Sequence, residues 1–555
     1  MEKKNEEEEK TRVKWKNRDG GDKNYFDELK KTCDEEVQEF FTRDYQNMDK
    51  NVEEEWESFK SRSDRCLRKG LGEAGQGVAK NEKKWYEYGY DKEVQRWKRE
   101  ARLAIRAMKR AKNEEDRMEF REEFKSRRKL IKKRVTDLRN QKIDKMMREL
   151  EIDRTKDPRT FWIKLKAVAK WKVREKKMPS MVVDLNGKEV KDEAQMTEVW
   201  RQAWLSLGLE DMEDKRFDEE YARMICEEGR KLKREEKESD RKENDEARQV
   251  KWINAPILLK EVRGVVARLK KGKATGVDGI ITELFKYGGE RMMYCVWSLL
   301  LKIWREEEIP DDWSKGVVVP IFKKEDRRDP FNYRGISLLS VVGKMFTTIL
   351  SDRLMVFCEE NDIIADEQGG FRKGRGCPDQ LFALTEVLNF RKGKKTCCCF
   401  IDIKKAYDTV FRDGLWVKLH QAGIQGKMWR MITSIYNKVQ SCVLVEGVTT
   451  RWFEVEVGVR QGCVVSPIFF SIFVDGLARK IKESGLGVEI EGGEQENLGL
   501  LMYADDIVLI AKNEKDLQNM IDIVVKYSHK WRFELNSKKT EIVIFGKKDK
   551  NSCFG

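Results

Sequence analysis

No two cysteines in this 555-residue chain are spaced as C-x-x-C, although it has twelve of them. A zinc centre therefore has no ligand geometry to start from. Twelve thiols in so long a chain do not make a disulfide scaffold either, and a reducing compartment suits them best. The run Cys397, Cys398, Cys399 lies in an apolar stretch and reads as small buried hydrophobes. An apolar leader is missing too, since Met1 is followed by EKKNEEEEK, which excludes a secretory signal there. The longest apolar run, Val464 to Val474, is broken by Ser466 and Pro467 and is too short to cross a bilayer. These absences predict a soluble, intracellular protein with no membrane partner.

What the chain has in excess is charge. Lys and Arg number 114 against 100 Asp and Glu, a net +14, and charged residues make up 39% of the sequence. That fraction is far above the ~25% of an ordinary globular protein. A basic balance fits nucleic acid as a partner, and equally fits a well-solvated surface. Composition divides the chain near residue 250. Between Asp91 and Leu150 there is no Pro or Gly, and Leu103, Ile105 and Met108 recur at helical spacing. Long amphipathic helices are predicted there. The block KSRRKLIKKR, Lys125 to Arg134, reads as an RNA contact, a nuclear import signal or a solvated helix face. Gly229 to Arg248 has almost nothing to bury and reads as linker or exposed helix. From Trp252 onward, short runs rich in Val, Ile and Phe alternate with helical stretches, the texture of an α+β domain.

Two acidic motifs carry the chemistry. In LGLLMYADDIVLIA, Leu498 to Ala511, two apolar runs flank Ala504-Asp505-Asp506, which predicts a β-hairpin with adjacent carboxylates at its tip. Such neighbours repel unless a cation lies between them. In CCCFIDIKKAYDTV, Cys397 to Val410, an apolar strand presents Asp402 between Ile401 and Ile403. A carboxylate there is costly unless partnered, and a divalent metal shared with Asp505 and Asp506 would partner it. Hard oxygen ligands suit Mg²⁺. Two such ions would activate an attacking hydroxyl and stabilise a leaving pyrophosphate.

The order of these and other motifs resembles the palm of reverse transcriptases of the non-LTR, LINE-like retrotransposon type. Asp402 stands as in motif A, GVRQGCVVSP (Gly458 to Pro467) as in motif B, and YADD (Tyr503 to Asp506) as in motif C. PIFKKEDRRDPFNYRGISLL (Pro320 to Leu339) and EQGGFRKGRGCPDQ (Glu367 to Gln380) resemble finger motifs, and LNSKKTEIVIF (Leu535 to Phe545) resembles motif D. The resemblance covers roughly residues 260–550. It implies an α+β right-hand fold of fingers and palm, preceded by a basic helical extension over 1–250, a fingertip lead-in over 251–303 and the catalytic domain over 304–555. KGKATGVDGI, Lys271 to Ile280, is similar to that lead-in, or is an ordinary Gly-rich turn.

It also implies roles. Asp402, Asp505, Asp506 and the backbone at Ile403 would hold two Mg²⁺ ions, which Mn²⁺ could replace. Tyr407 would be the steric gate against a 2′-hydroxyl. Arg334 with Lys323 or Lys324 would meet the triphosphate, and Gln461 and Gly462 the incoming nucleotide and template. Lys539 would protonate the leaving pyrophosphate or neutralise its charge. The expected partners are an RNA template, a DNA primer and dNTPs, and the expected compartment is the nucleus. The only two His, His420 and His529, lie within the polymerase-like region, which argues against a preceding endonuclease that needs a catalytic His. The chain stops just past motif D, so a thumb is expected to be largely absent. Two other readings stand beside this one: a catalytically impaired RNA-binding relic of such an element, and an RNA-dependent RNA polymerase.

Overall fold

The computed structural model describes residues 23–43, 51–71, 91–111, 113–156, 179, 181–209, 214–242, 252–489 and 497–546. The N-terminal run after Met1 and residues 243–248 of the charged tract lie outside them. The chain divides into two compact units, Met1–Glu73 with Pro179–Gly555, and Ala74–Met178. The compositional change near residue 250 is therefore not where compactness changes. Among the described residues no helix is long and apolar enough to cross a membrane.

Seven strands of the larger unit frame the site: β1 (Lys315–Phe322), β2 (Tyr333–Leu338), β3 (Thr396–Asp402), β4 (Gln440–Val445), β5 (Leu500–Tyr503), β6 (Asp506–Ala511) and β7 (Glu541–Phe545). One sheet runs β5-β6-β3-β7, antiparallel throughout. A second, of five strands, contains β2-β1-β4 in that order, with β1 and β4 parallel and β4 also pairing Val448–Thr449 and Phe453–Glu454. The cysteine run explains why β3 is central to the first sheet. Cys397, Cys399 and Ile401 join the main core, whereas Cys398 packs with Val387, Leu501 and Ile510 on the other face. A strand covered on both faces reads as an unbroken apolar run, as this one does. Burial raises the pKa of all three thiols, which fits their reading as inert small hydrophobes.

Ten helices are used below: α1 (Lys23–Arg43), α2 (Val52–Leu71), α3 (Lys92–Arg110), α4 (Glu114–Lys156), α5 (Glu193–Gly208), α6 (Glu219–Lys242), α7 (Val341–Glu360), α8 (Arg412–Gln421), α9 (Ser466–Glu483) and α10 (Glu514–Trp531). The expected long helices are α3 and α4, in the smaller unit. There the basic block is pinned in part, because Arg134 pairs with Asp91, the N-cap of α3, at 3.0 Å.

The charged helices α1 and α2 do not stand apart. Leu29, Cys33 and Val37 of α1 and Trp56, Phe59 and Leu67 of α2 belong to the same core as the first sheet. Each such large apolar side chain is worth about 1.5–3 kcal/mol when buried. Trp56 also donates to Asp312 at 3.1 Å, beside a Lys60–Asp312 ion pair at 2.7 Å. The tract from Gly229 is helical, as one of its two readings had it, but it is not wholly exposed. Leu232 and Glu236 of α6 are buried, Lys233 pairs with Asp413, and Glu236 faces His420 and Arg430.

Candidate active site

Register brings the acids together. Asp506 lies directly opposite Asp402 across β6 and β3, while Tyr503 and Asp506 close the β5–β6 hairpin around Ala504 and Asp505. Directly opposed residues in an antiparallel pair hold their Cβ atoms ~4.5–5.5 Å apart. Carboxylates 104 positions apart in sequence (402 and 506) thus become neighbours. Asp506 begins the second strand instead of sitting in the turn, a small correction to the expected tip. Asp402 differs from expectation too. It ends its strand, its side chain is 28% exposed, and it already has protein partners. Lys539 Nζ and Asn536 Nδ2 each donate to Asp402 Oδ2 at 2.9 Å, and the Asn536 amide donates to the Asp402 carbonyl. The 535–540 loop therefore wraps the motif A acid.

Ile403 is buried and bridged to Leu535. The bonds of that bridge are Lys404 N–H to Glu534 and Asn536 N–H to Asp402, so they do not use the carbonyl of Ile403. Among the described residues, no three His, Cys, Asp or Glu side chains are gathered tightly enough to form a ready metal centre. The donor chemistry nonetheless fits a hard divalent cation. Burial first, then the Asp505 and Asp402 carboxylates, hold the Asp506 carboxyl above its usual range, and Lys539 opposes them. A bound cation would relieve that repulsion, and Lys539 would have to share or yield Asp402 Oδ2.

Cations gather in a pocket of the second sheet. Its walls include Trp204, Lys323, Arg334, Lys405, Asp408 and Gln461. Lys323 follows the end of β1, its amide donating to Asn332, and Arg334 lies on β2 opposite Ile321. The pocket takes Lys323 and leaves out Lys324, which is 68% exposed and faces Glu325. Burial, then Arg334, lower the pKa of Lys323, and the carboxylates of Asp408 and Asp402 resist that shift. Burial brings the Lys405 amine down to about 8, and its Nζ lies 4.4 Å from the centre of the Phe331 ring. Burial likewise pushes the Asp408 carboxyl up to about 6, against the pull of Lys405 and Lys323. Gln461 Nε2 donates to both Asp408 oxygens, at 3.1 and 3.2 Å.

Tyr407 stacks on Phe470 of α9, with centroids 5.4 Å apart and planes 14° apart. Burial and then Asp505 raise its phenol above the usual range, so the ring is uncharged near neutrality. Gly462 has φ +132°, and a Cβ there would come within 2.5 Å of the Ser337 carbonyl. Only Gly permits that approach, which, together with the Ser337 amide bonding Gln461 at 2.8 Å, ties motif B to β2.

The sequence reading missed several members of this constellation. Lys405 and Asp408 were within reach, since IDIKKAYD repeats an acid six positions after Asp402. Helix α5 was not. It supplies Trp204 to the pocket wall, and its Gly208 carbonyl accepts from the amides of Glu456 and Val457 just ahead of motif B.

Residues 322–553 match the family of reverse transcriptases (RNA-dependent DNA polymerases). The chain carries a reverse transcriptase domain. Of the two sheets that frame the site, β5-β6-β3-β7 bears the palm-like motifs A and C, and the sheet with β2-β1-β4 bears the finger-like segment Pro320 to Leu339. The chain is 28% identical over 302 residues to the RNA-directed DNA polymerase from mobile element jockey of Drosophila funebris, covering 52% of this chain and 32% of that one. It is 26% identical to the probable RNA-directed DNA polymerase from transposon BS of Drosophila melanogaster, covering 51% and 32%. A polyprotein of the type-1 retrotransposable element R2 from Nasonia vitripennis is 28% identical, covering 49% and 25%. The chain thus spans about a third of the length of the first relatives it matches.

Proposed function

We propose that the chain is an RNA-directed DNA polymerase of a non-LTR retrotransposon, extending a DNA primer on an RNA template with dNTPs. The observation that supports this most is Asp402 set opposite Asp506 with Asp505 in the adjoining turn. The residues that would hold divalent ions are Asp402, Asp505, Asp506 and the carbonyl of Ile403. When bound, such ions supply Lewis-acid stabilisation of the phosphoryl group and of the attacking and leaving oxygens. Lys323 and Arg334 would grip the triphosphate, Arg as a fork and Lys as a point charge. Tyr407 would exclude a ribose 2′-hydroxyl, its ring braced from behind by Phe470. Lys539, 2.9 Å from Asp402, would balance charge as pyrophosphate departs. In the smaller unit, the basic block Lys125 to Arg134 of α4 would contact RNA phosphates.

The test is primer extension on an RNA template with dNTPs and Mg²⁺, wild type against Asp505→Ala. Wild type should extend the primer, and the substitution should lower the rate by several orders of magnitude. Equal synthesis by both proteins would end the assignment of this site.

A further inference from the structure

The turn that presents the hairpin acids is held by a residue that has no part in the roles above. Ala504, between Tyr503 and Asp505, has φ +61°, a left-handed conformation that residues with a Cβ rarely adopt. It is buried, so its peptide groups need partners within the protein. A single side chain supplies them. Gln368 Oε1 accepts from the Ala504 amide at 2.8 Å, and Gln368 Nε2 donates to the Ala504 carbonyl at 3.1 Å. The same oxygen accepts from the Gly370 amide at 2.8 Å.

Gln368 is itself fixed. Its side chain is buried at 1% exposure, and residues 367–369 run parallel to β5 through Met502 N–H to Glu367 and Gly369 N–H to Met502. Behind it, Arg372 forks onto Glu359 of α7 at 2.6 and 2.8 Å and donates to the Ala365 carbonyl at 3.1 Å. Gly370 completes the fit, because a Cβ there would fall 2.3 Å from the Ala504 amide nitrogen. The Gln368 amide thus acts as a substitute peptide for a backbone turn that has no strand partner of its own.

We propose that Gln368 is a positioning residue for Asp505: its amide holds Ala504 in the left-handed state, and that state fixes the direction in which the Asp505 carboxylate leaves the hairpin. This rests on the polymerase reading above, since it concerns the same acids. Removing the two bonds frees Ala504 to relax toward right-handed backbone, which turns Asp505 away while leaving Asp402, Asp506 and the nucleotide pocket in place.

The test compares wild type with Gln368→Met, similar in volume but without the bonds, and with Gln368→Glu, which as a carboxylate keeps the accepted bonds and loses the donated one. Two quantities are read: hydrogen exchange at the Ala504 amide, and the kcat and KM for dNTP addition on a primed RNA template. For Gln368→Met the Ala504 amide should exchange at least about tenfold faster, and kcat should fall roughly a hundredfold, as for an ångström-scale misplacement. KM for dNTP should stay within about threefold. Gln368→Glu should fall between the two, and adding Ala504→Gly to Gln368→Met should recover part of kcat, because Gly adopts positive φ freely. Unchanged exchange at Ala504, or a rise in KM with kcat intact, would overturn the proposal. A wild type that adds no nucleotide would defeat the polymerase reading, while amide exchange would still decide whether Gln368 holds the turn.

Discussion

The two sheets that frame the site divide the electrostatic work. The palm sheet carries its acids on strands whose neighbours are almost wholly buried: in β3 every residue from Thr396 to Cys399 is at most 1% exposed, and Asp402 emerges only at the strand's end. The fingers sheet is more open, β2 running from buried Tyr333 to exposed Arg334 and half-buried positions beyond. Arg334 and Lys323 stand on a strand and at a strand end of this sheet, Lys405 joins them from the turn after β3, and among the described lining residues Asp408, with Gln461 beside it, is the acid that balances them. Acids that must share an ion need fixed separation, which a buried antiparallel register provides. Cations that grip a flexible triphosphate tolerate looser placement.

This contrast predicts unequal sensitivity. Asp402→Ala should lower extension as much as loss of Asp505, by several orders of magnitude, because Asp402 is the carboxylate paired opposite Asp506. Arg334→Ala should lower kcat/KM for dNTP by only about ten- to a hundredfold, the worth of one hydrogen bond to a charged group. A fingers substitution as damaging as a palm one in single-nucleotide kinetics would erase the distinction. Tyr407→Ala should narrow discrimination against ribonucleotides by at least about tenfold, read as the ratio of kcat/KM for matched dNTP and rNTP. Unchanged sugar selection would remove the gate.

The smallest effect concerns Asp408, whose carboxyl is raised to about 6. The folded chain then binds more protons than the unfolded one between roughly the ordinary Asp value of ~3.9 and that raised value. The contribution to stability is full below the lower value and is lost as pH rises through the higher one. Asp408→Asn should therefore flatten the fall in stability across that window, measured by denaturant midpoint against pH. An unaltered pH slope would show that Asp408 titrates normally.

How much of this was legible in the sequence follows the same division. Asp402, Asp505 and Asp506 could be read because each interrupts an apolar run of the sequence, where a carboxylate needs a reason. Lys323 and Lys324 could not be told apart, since adjacent residues differ only in which way the strand end turns; the fold puts Lys323 in the pocket wall and Lys324 beside Glu325 at the surface. Gln368 gave no chemical signal: an amide in a glycine-rich stretch shows its role only when the Ala504 backbone lies against it. The packing of α1 and α2 was written in the spacing of Trp56, Phe59, Ser63, Cys66 and Leu67, a helical face hidden among Glu, Lys and Arg. Charge density concealed it, because long charged side chains flank a buried stripe without disturbing it. For α6, Gly229 passes close to Asp413 of α8, and a contact across nearly two hundred residues has no local trace.

The most direct measurement is a crystal structure of the chain with a primed RNA template, an incoming dNTP and Mn²⁺, with anomalous density used to find the metal. The account predicts density between Asp402 and the Asp505–Asp506 pair, with the Lys539 amine displaced from its place on Asp402. Density confined to other sites, with Lys539 still bonded to Asp402 beside bound nucleotide, would contradict it.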